Sequence, residues 1–158
     1  MKVFISHKRE DSELARTICE VLANRGVPTY LDVQDPQIDP DHVGITDYII
    51  DKIGGCTHLL PVVTDVTVRS WWVPFEIGIA TEKRIPIATF IQARVEIPAF
   101  LRTWPFLQNG PDLVKFADLA MRRENIQRFD ERYAKKSLGE RSVSARGFES
   151  ELKGLLGQ

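Results

Sequence analysis

The chain has 158 residues, 43% hydrophobic and 27% charged, the values of one globular domain long enough to bury a proper core. A formal net charge of −1 leaves no overall basic field for nucleic acid or an anionic membrane. No apolar run approaches the roughly 18 residues of a membrane span, and Cys19 and Cys56 sit in apolar patterns without metal-ligand spacing, as reduced thiols rather than a disulfide. The chain opens directly on a strand-like run with no secretory leader, so the expected location is the cytoplasm. From Arg122 to Gln158 nine Lys/Arg stand against six Asp/Glu, an excess that a solvated tail explains as well as a partner does.

Lys2 to Ser6 is a short run of β-branched and aromatic residues, hence a buried strand. Asp11 or Ser12 can cap the next helix, whose inward face is Leu14, Ala15, Ile18, Cys19 and Leu22; Gly26 ends it as a left-handed cap and Pro28 stops its resumption. Val27 to Leu31 is a second strand with Asp32 just past its end. Asp32 to Gly44, rich in aspartate and proline, is a long loop, and such loops in compact domains tend to bind. Ile45, Ile49, Ile50 and Ile53 form a helical face closed by Gly54 and Gly55. Thr57 to Thr64 is the third strand, in which Pro61 conflicts with a central position; a bulge or a start at Val62 would resolve the conflict. Ile85 to Phe90 is the fourth strand, and Ala99 to Leu107 ends in a short fifth. Pro111 and Asp112 start a helix with Leu113, Phe116, Ala117 and Ala120 inward, its period prolonged by Ile126, Phe129 and Tyr133. Gly139, Ser142 and Ser144 break it, and Phe148, Leu152 and Leu155 predict a last amphipathic turn or two. Alternating strands and helices mean a parallel sheet covered on both faces.

One stretch stands out for chemistry. Residues 70–80 open a helix past the third strand, with Pro74 tolerated in its first turn and Trp72 and Glu76 four apart on one face. A carboxylate beside an indole at the carboxyl edge of an open α/β sheet is where such sheets bind ligands. The alternative is a buried Trp72 and a Glu76 that answers the helix dipole from the first turn.

Val-Phe-Ile-Ser-His-Lys-Arg-Glu-Asp at 3–11 resembles the opening signature of Toll/interleukin-1 receptor (TIR) domains. Gly26 to Asp32 is similar to that family's second strand and the start of its long BB loop, and Ser70 to Glu76 to the segment that carries the glutamate of NAD-consuming members, with Trp72 four residues before it. The resemblance covers roughly residues 2–124. It implies a flavodoxin-like five-stranded parallel sheet in the order 2-1-3-4-5 with helices on both faces, as a domain over 1–124 and a C-terminal helical extension over 125–158. The BB loop here is richer in proline and aspartate than the family pattern.

The resemblance implies that Glu76 is catalytic and that NAD+ is the substrate, with no further cofactor and no metal. Cleaving the nicotinamide–ribose bond passes through an oxocarbenium-like state. Nicotinamide leaves as a neutral molecule, so no general acid is required, and one carboxylate can steady the developing cation. Trp72 offers a flat wall for a ring or sugar. Ser6 to Asp11 lie between a strand's carboxyl end and a helix N-terminus, an anion site by geometry, where Lys8 and Arg9 can hold the diphosphate or stand as solvated charges. Asp32 binds ribose or starts a turn, and Ser70 touches ligand or caps the helix. His7 is expected to be half-buried structure. A Gly-x-Gly-x-x-Gly loop is absent, and no serine or cysteine triad signature appears. The expected function is thus an NAD+ glycohydrolase or cyclase making ADP-ribose or a cyclic isomer as an anti-phage signal, read by a separate effector protein and built by TIR–TIR self-association. The alternatives are a non-catalytic TIR adaptor and a nucleoside-transferring relative.

Overall fold

The protein is described by a computed structural model over residues 1–31, 44–93, 95–130 and 138–158. Its strands are β1 (Val3–Ser6), β2 (Thr29–Leu31), β3 (His58–Val63), β4 (Thr89–Ile91) and β5 (Phe106–Leu107), and its helices α1 (Ser12–Asn24), α2 (Ile45–Gly54), α3 (Trp72–Glu82), α4 (Gly110–Asp130) and α5 (Leu138–Leu156). The strands form one sheet in the order 2-1-3-4-5, every pairing parallel. This is the flavodoxin-like α/β architecture that the resemblance implies, and its parallel sheet with covered faces is what the alternation predicts.

Because successive side chains of a strand point to opposite faces, the strand residues divide between two cores. Val3, Ile5, Leu60, Val62 and Phe90 pack with Ala15, Ile18 and Leu22 of α1, Phe116 and Ala120 of α4, and Phe148 and Leu152 of α5. Phe4, Leu59, Val63 and Ile91 pack with Ile49 and Ile53 of α2 and Val73, Ile77 and Ala80 of α3. With both faces covered, β1 and β3 are buried at every position, which is why they read as unbroken apolar runs rather than alternating ones. Gly26 ends α1 at φ 74°, the left-handed cap expected of it. Among the described residues no helix is long and apolar enough to cross a membrane.

Pro61 sits inside β3 without a bulge and without delaying the strand. The register with β1 is continuous from Val3↔His58 to Ser6↔Pro61. On the other side, Leu59 N–H donates to Pro86 O (3.0 Å), Ala88 N–H to Leu59 O (3.2 Å) and Gln92 N–H to Val63 O (3.0 Å). The rung between them is the one Pro61 cannot donate. The β3–β4 ladder accordingly shrinks to an isolated Leu59↔Ile87 bridge followed by Val62↔Phe90, so β4 begins at Thr89 instead of Ile85.

The C-terminal part differs from expectation. Ile126 is 56% exposed and does not extend the inward face of α4. Gly139, Ser142 and Ser144 do not break the chain into short turns; they lie within α5, a 19-residue helix whose Phe148 and Leu152 are buried in the first core. Tertiary burial of that apolar pair outweighs the modest local cost of the glycines. Polar side chains moor α5 to backbone: Glu149 Oε1 accepts Ile87 N–H (3.1 Å), and Lys153 Nζ donates to the carbonyls of Arg102 (3.1 Å) and Thr103 (2.8 Å). The Gln158 amide takes Phe106 N–H (3.0 Å) and donates to Phe106 O (2.6 Å), closing the outward edge of β5 like one more rung. Cys19 and Cys56 are free thiols, and burial pushes Cys56 up to about 11.

His58 opens β3 edge-on to Phe116 (5.8 Å) and Phe148 (4.7 Å), and burial lowers its pKa to about 4. The unfolded chain, titrating near the ordinary value, therefore binds a proton that the folded chain refuses. Stability should be full above about pH 6.5 and fall by about 3 kcal/mol as pH drops towards 4. Urea unfolding at stepped pH checks this: His58→Gln should flatten the curve in that window, and an unchanged slope would assign it to other groups.

Candidate functional site

The order 2-1-3-4-5 reverses direction between β1 and β3, and ligands of open α/β sheets bind outside the carboxyl ends at such a reversal. Ser6 is the last residue of β1, and Thr64 follows β3. The turns after these two central strands carry Lys8, Arg9, Asp11 and Ser70 of the predicted residues, and α3, which follows the second turn, carries Trp72 and Glu76.

Glu76 lies one turn into α3, which has no acidic residue in its first turn, so it does not answer the helix dipole from there. Its carboxylate is 0% exposed, and Ser6 Oγ, equally buried, donates to Oε2. The structure thus brings together two of the predicted residues from positions 70 apart. Trp72 is only half-buried: its ring contacts the second core and tilts against Phe75 (5.5 Å, 41°). The neighbouring Trp71, which the sequence reading passed over, is 93% exposed. Ser70 Oγ accepts Trp72 N–H at 3.2 Å, one of the otherwise unsatisfied donors at the start of α3, which is the capping role open to it in the sequence.

Asp11 is also committed within the protein. Its Oδ2 accepts from Thr67 Oγ1 (2.6 Å) and Thr64 Oγ1 (2.9 Å) and makes no cap bond to α1, though it stands at the capping position. Thr64 Oγ1 in turn accepts the N–H groups of Val66 and Thr67 (both 3.2 Å), an ST turn. Both threonines are buried. They were missed because a hydroxyl after a strand reads as generic turn chemistry; the pair Thr64-x-x-Thr67 directly past an apolar run was the available signal.

The cationic residues stay at the surface. Lys8 Nζ pairs with Glu10 Oε1 at 3.4 Å, and Arg9 is exposed on the short 3₁₀ turn Arg9–Asp11 before α1. Backbone hydrogen bonding and Lys8 hold Glu10 below the usual carboxylate range. Asp32 lies outside the described residues. His7 is fully buried rather than half-buried, with Nδ1 3.4 Å from Ile5 O. A separate hollow of about 270 Å3, lined by Arg16, Cys19, Glu20, Thr29 and Leu31, flanks the β2 edge and includes none of the predicted site residues.

A family model described as TIR domain matches residues 3–133. No curated protein sequence matches the chain. Among solved structures it is similar to the 2-deoxyribosyltransferase of the psychrotolerant bacterium Bacillus psychrosaccharolyticus, at 12% identity over 72% of this chain and 90% of that one, TM-score 0.59, a likeness of fold. The TIR domains of the activated Roq1 resistosome, which directly recognises the pathogen effector XopQ, match at 18% identity over 99% and 97% of the two chains, TM-score 0.48.

The Ser6–Glu76 contact has a direct energetic consequence, since a buried acceptor stripped of its donor keeps its desolvation cost. Ser6→Ala should destabilise the fold by about 1–3 kcal/mol in urea unfolding. A loss within error of zero would show that the two groups are not joined in solution.

Proposed function

The chain belongs to the TIR domain family, and from that premise we propose that it is an NAD+ nucleosidase, with Glu76 as its catalytic carboxylate. The observation that supports this reading is the placement of Glu76, fastened by Ser6 at the reversal of strand order, with Trp72 four residues earlier as in the NAD-consuming members that the sequence resembles.

In the proposed reaction the bond between ribose C1′ and the pyridinium nitrogen breaks, and its electron pair leaves with nicotinamide. The cation left on the ribose is steadied by the Glu76 carboxylate. Water then adds its oxygen to C1′ and releases a proton, giving ADP-ribose; a ring nitrogen or ribose hydroxyl of the same molecule would give a cyclic isomer instead. Either product suits an immune, anti-phage signal read by a separate effector protein. Lys8 and Arg9 are assigned to the diphosphate, and Ser6 and Ser70 to the framework of the site. NAD+ is substrate, with no further cofactor or metal required. The reading places the chain in the cytoplasm, where NAD+ is abundant and thiols stay reduced.

Glu76 is wholly covered in the single chain, so catalysis requires that part of its covering be withdrawn or replaced. Head-to-tail TIR–TIR assembly, with the site completed by a second copy, is the arrangement we favour. The same burial supports the competing reading, a non-catalytic adaptor acting by TIR–TIR assembly in which Glu76 is a structural carboxylate satisfied by Ser6.

Incubation of purified protein with NAD+, followed by chromatography and mass spectrometry, separates the readings. Nicotinamide should appear, and Glu76→Ala should lower its release by at least about a hundredfold while the variant remains folded by circular dichroism. Release that persists undiminished removes Glu76 from its role; consumption of a nucleoside in place of NAD+ would point to the nucleoside-transferring alternative. For the assembly, specific activity should rise steeply with protein concentration. A rate strictly proportional to concentration over two decades would mean that one chain suffices.

A further inference from the structure

The hydrogen bonds around Glu76 close into a circuit. Ser6 Oγ donates to Glu76; five residues on, Asp11 Oδ2 accepts from Thr67 Oγ1; Thr67 O accepts Ser70 N–H (2.8 Å); Ser70 Oγ accepts Trp72 N–H; and a helical turn later comes Glu76. Thr64 braces the same point from the end of β3, through its hydroxyl on Asp11 and its carbonyl on Val68 N–H (3.0 Å). Two turns that the sequence separates by more than fifty residues are thereby joined by one carboxylate.

Asp11 has a cheaper local option that it does not take. It stands before α1, where an aspartate ordinarily accepts the helix's first N–H groups, and makes no such bond. Its carboxylate instead reaches across to two hydroxyls that are nearly inaccessible to water, where hydrogen bonds are stronger than at the surface. We propose that Asp11 is a positioning residue of the Glu76 site: by holding Thr64 and Thr67 it fixes the start of α3, and so the place of the Glu76 carboxylate relative to the end of β1. The kinetic part of this inference rests on the NAD+-cleaving reading; the structural part does not.

A site whose reacting group is displaced by a fraction of an ångström loses rate more than affinity. In Asp11→Ala, kcat for NAD+ should fall about tenfold or more, with KM within about twofold. Asp11→Asn, which keeps an accepting oxygen for the threonine hydroxyls, should recover most of it. Thr67→Val, the same shape without the donor, should reproduce the loss and serves in place of Asp11→Ala if that variant does not fold. A fall confined to KM would overturn the proposal in favour of direct contact between Asp11 and substrate, as would an unchanged kcat. Amide hydrogen exchange is read in parallel on all variants, with α4 as internal reference. Exchange at Ser70 and Trp72 should quicken in Asp11→Ala and Thr67→Val and return towards normal in Asp11→Asn; unaltered exchange there overturns the proposal. If the unmodified protein releases no nicotinamide, the enzyme reading falls, and the exchange result alone decides the role of Asp11.

Discussion

A single hydroxyl–carboxylate contact, Ser6 on Glu76, ties the start of the chain to its middle at the one place where the sheet changes direction. Burying a carboxylate is costly unless it is hydrogen-bonded, so the site cannot be a casual arrangement of surface groups. It requires β1 to end at Ser6, α3 to begin four residues before Glu76, and the two central strands to hold their register. Each of those conditions is met by a separate piece of local chemistry: continuous β1–β3 pairing, the Ser70 cap, and the Asp11 bridge to Thr64 and Thr67.

The rest of the protein serves to keep that register fixed. Helices α1, α4 and α5 cover one face and α2 and α3 the other, so neither side of the central strands meets water. The missing rung at Pro61 falls on the β4 side, leaving the β1–β3 ladder intact where the site depends on it. Helix α5 contributes more than coverage. Its buried Phe148 and Leu152 complete the first core, while Glu149, Lys153 and Gln158 bond to the backbone around β4 and β5.

The burial of Glu76 bears on both functional readings, and it does so through the same physics. A carboxylate shielded from water interacts strongly with any charge that develops beside it, which is the condition for steadying an oxocarbenium-like cation. The shielding also bars the substrate until something moves. On the proposed reading, an assembly that uncovers the carboxylate would reconcile the two and make activity a consequence of association rather than a property of one chain.

Much of this was legible in the sequence because it depends on periodicity and local chemistry. The apolar runs at Lys2–Ser6 and Thr57–Thr64, the inward faces of three helices, the Gly26 cap and the Ser70 cap follow from side-chain spacing and backbone donors that neighbours in sequence must satisfy. What spacing could not determine was which polar groups would meet across the fold. Asp11 read as a cap or part of an anion site and bridges to Thr64 and Thr67; Trp72 read as a wall for a ring or as a buried indole and is half-buried, while Trp71 is in solvent; the Gly139–Ser144 stretch read as a break and became helix. For Asp11 and for α5 the outcome turned on partners more than twenty residues away, whose burial outweighs the local preferences that a sequence displays.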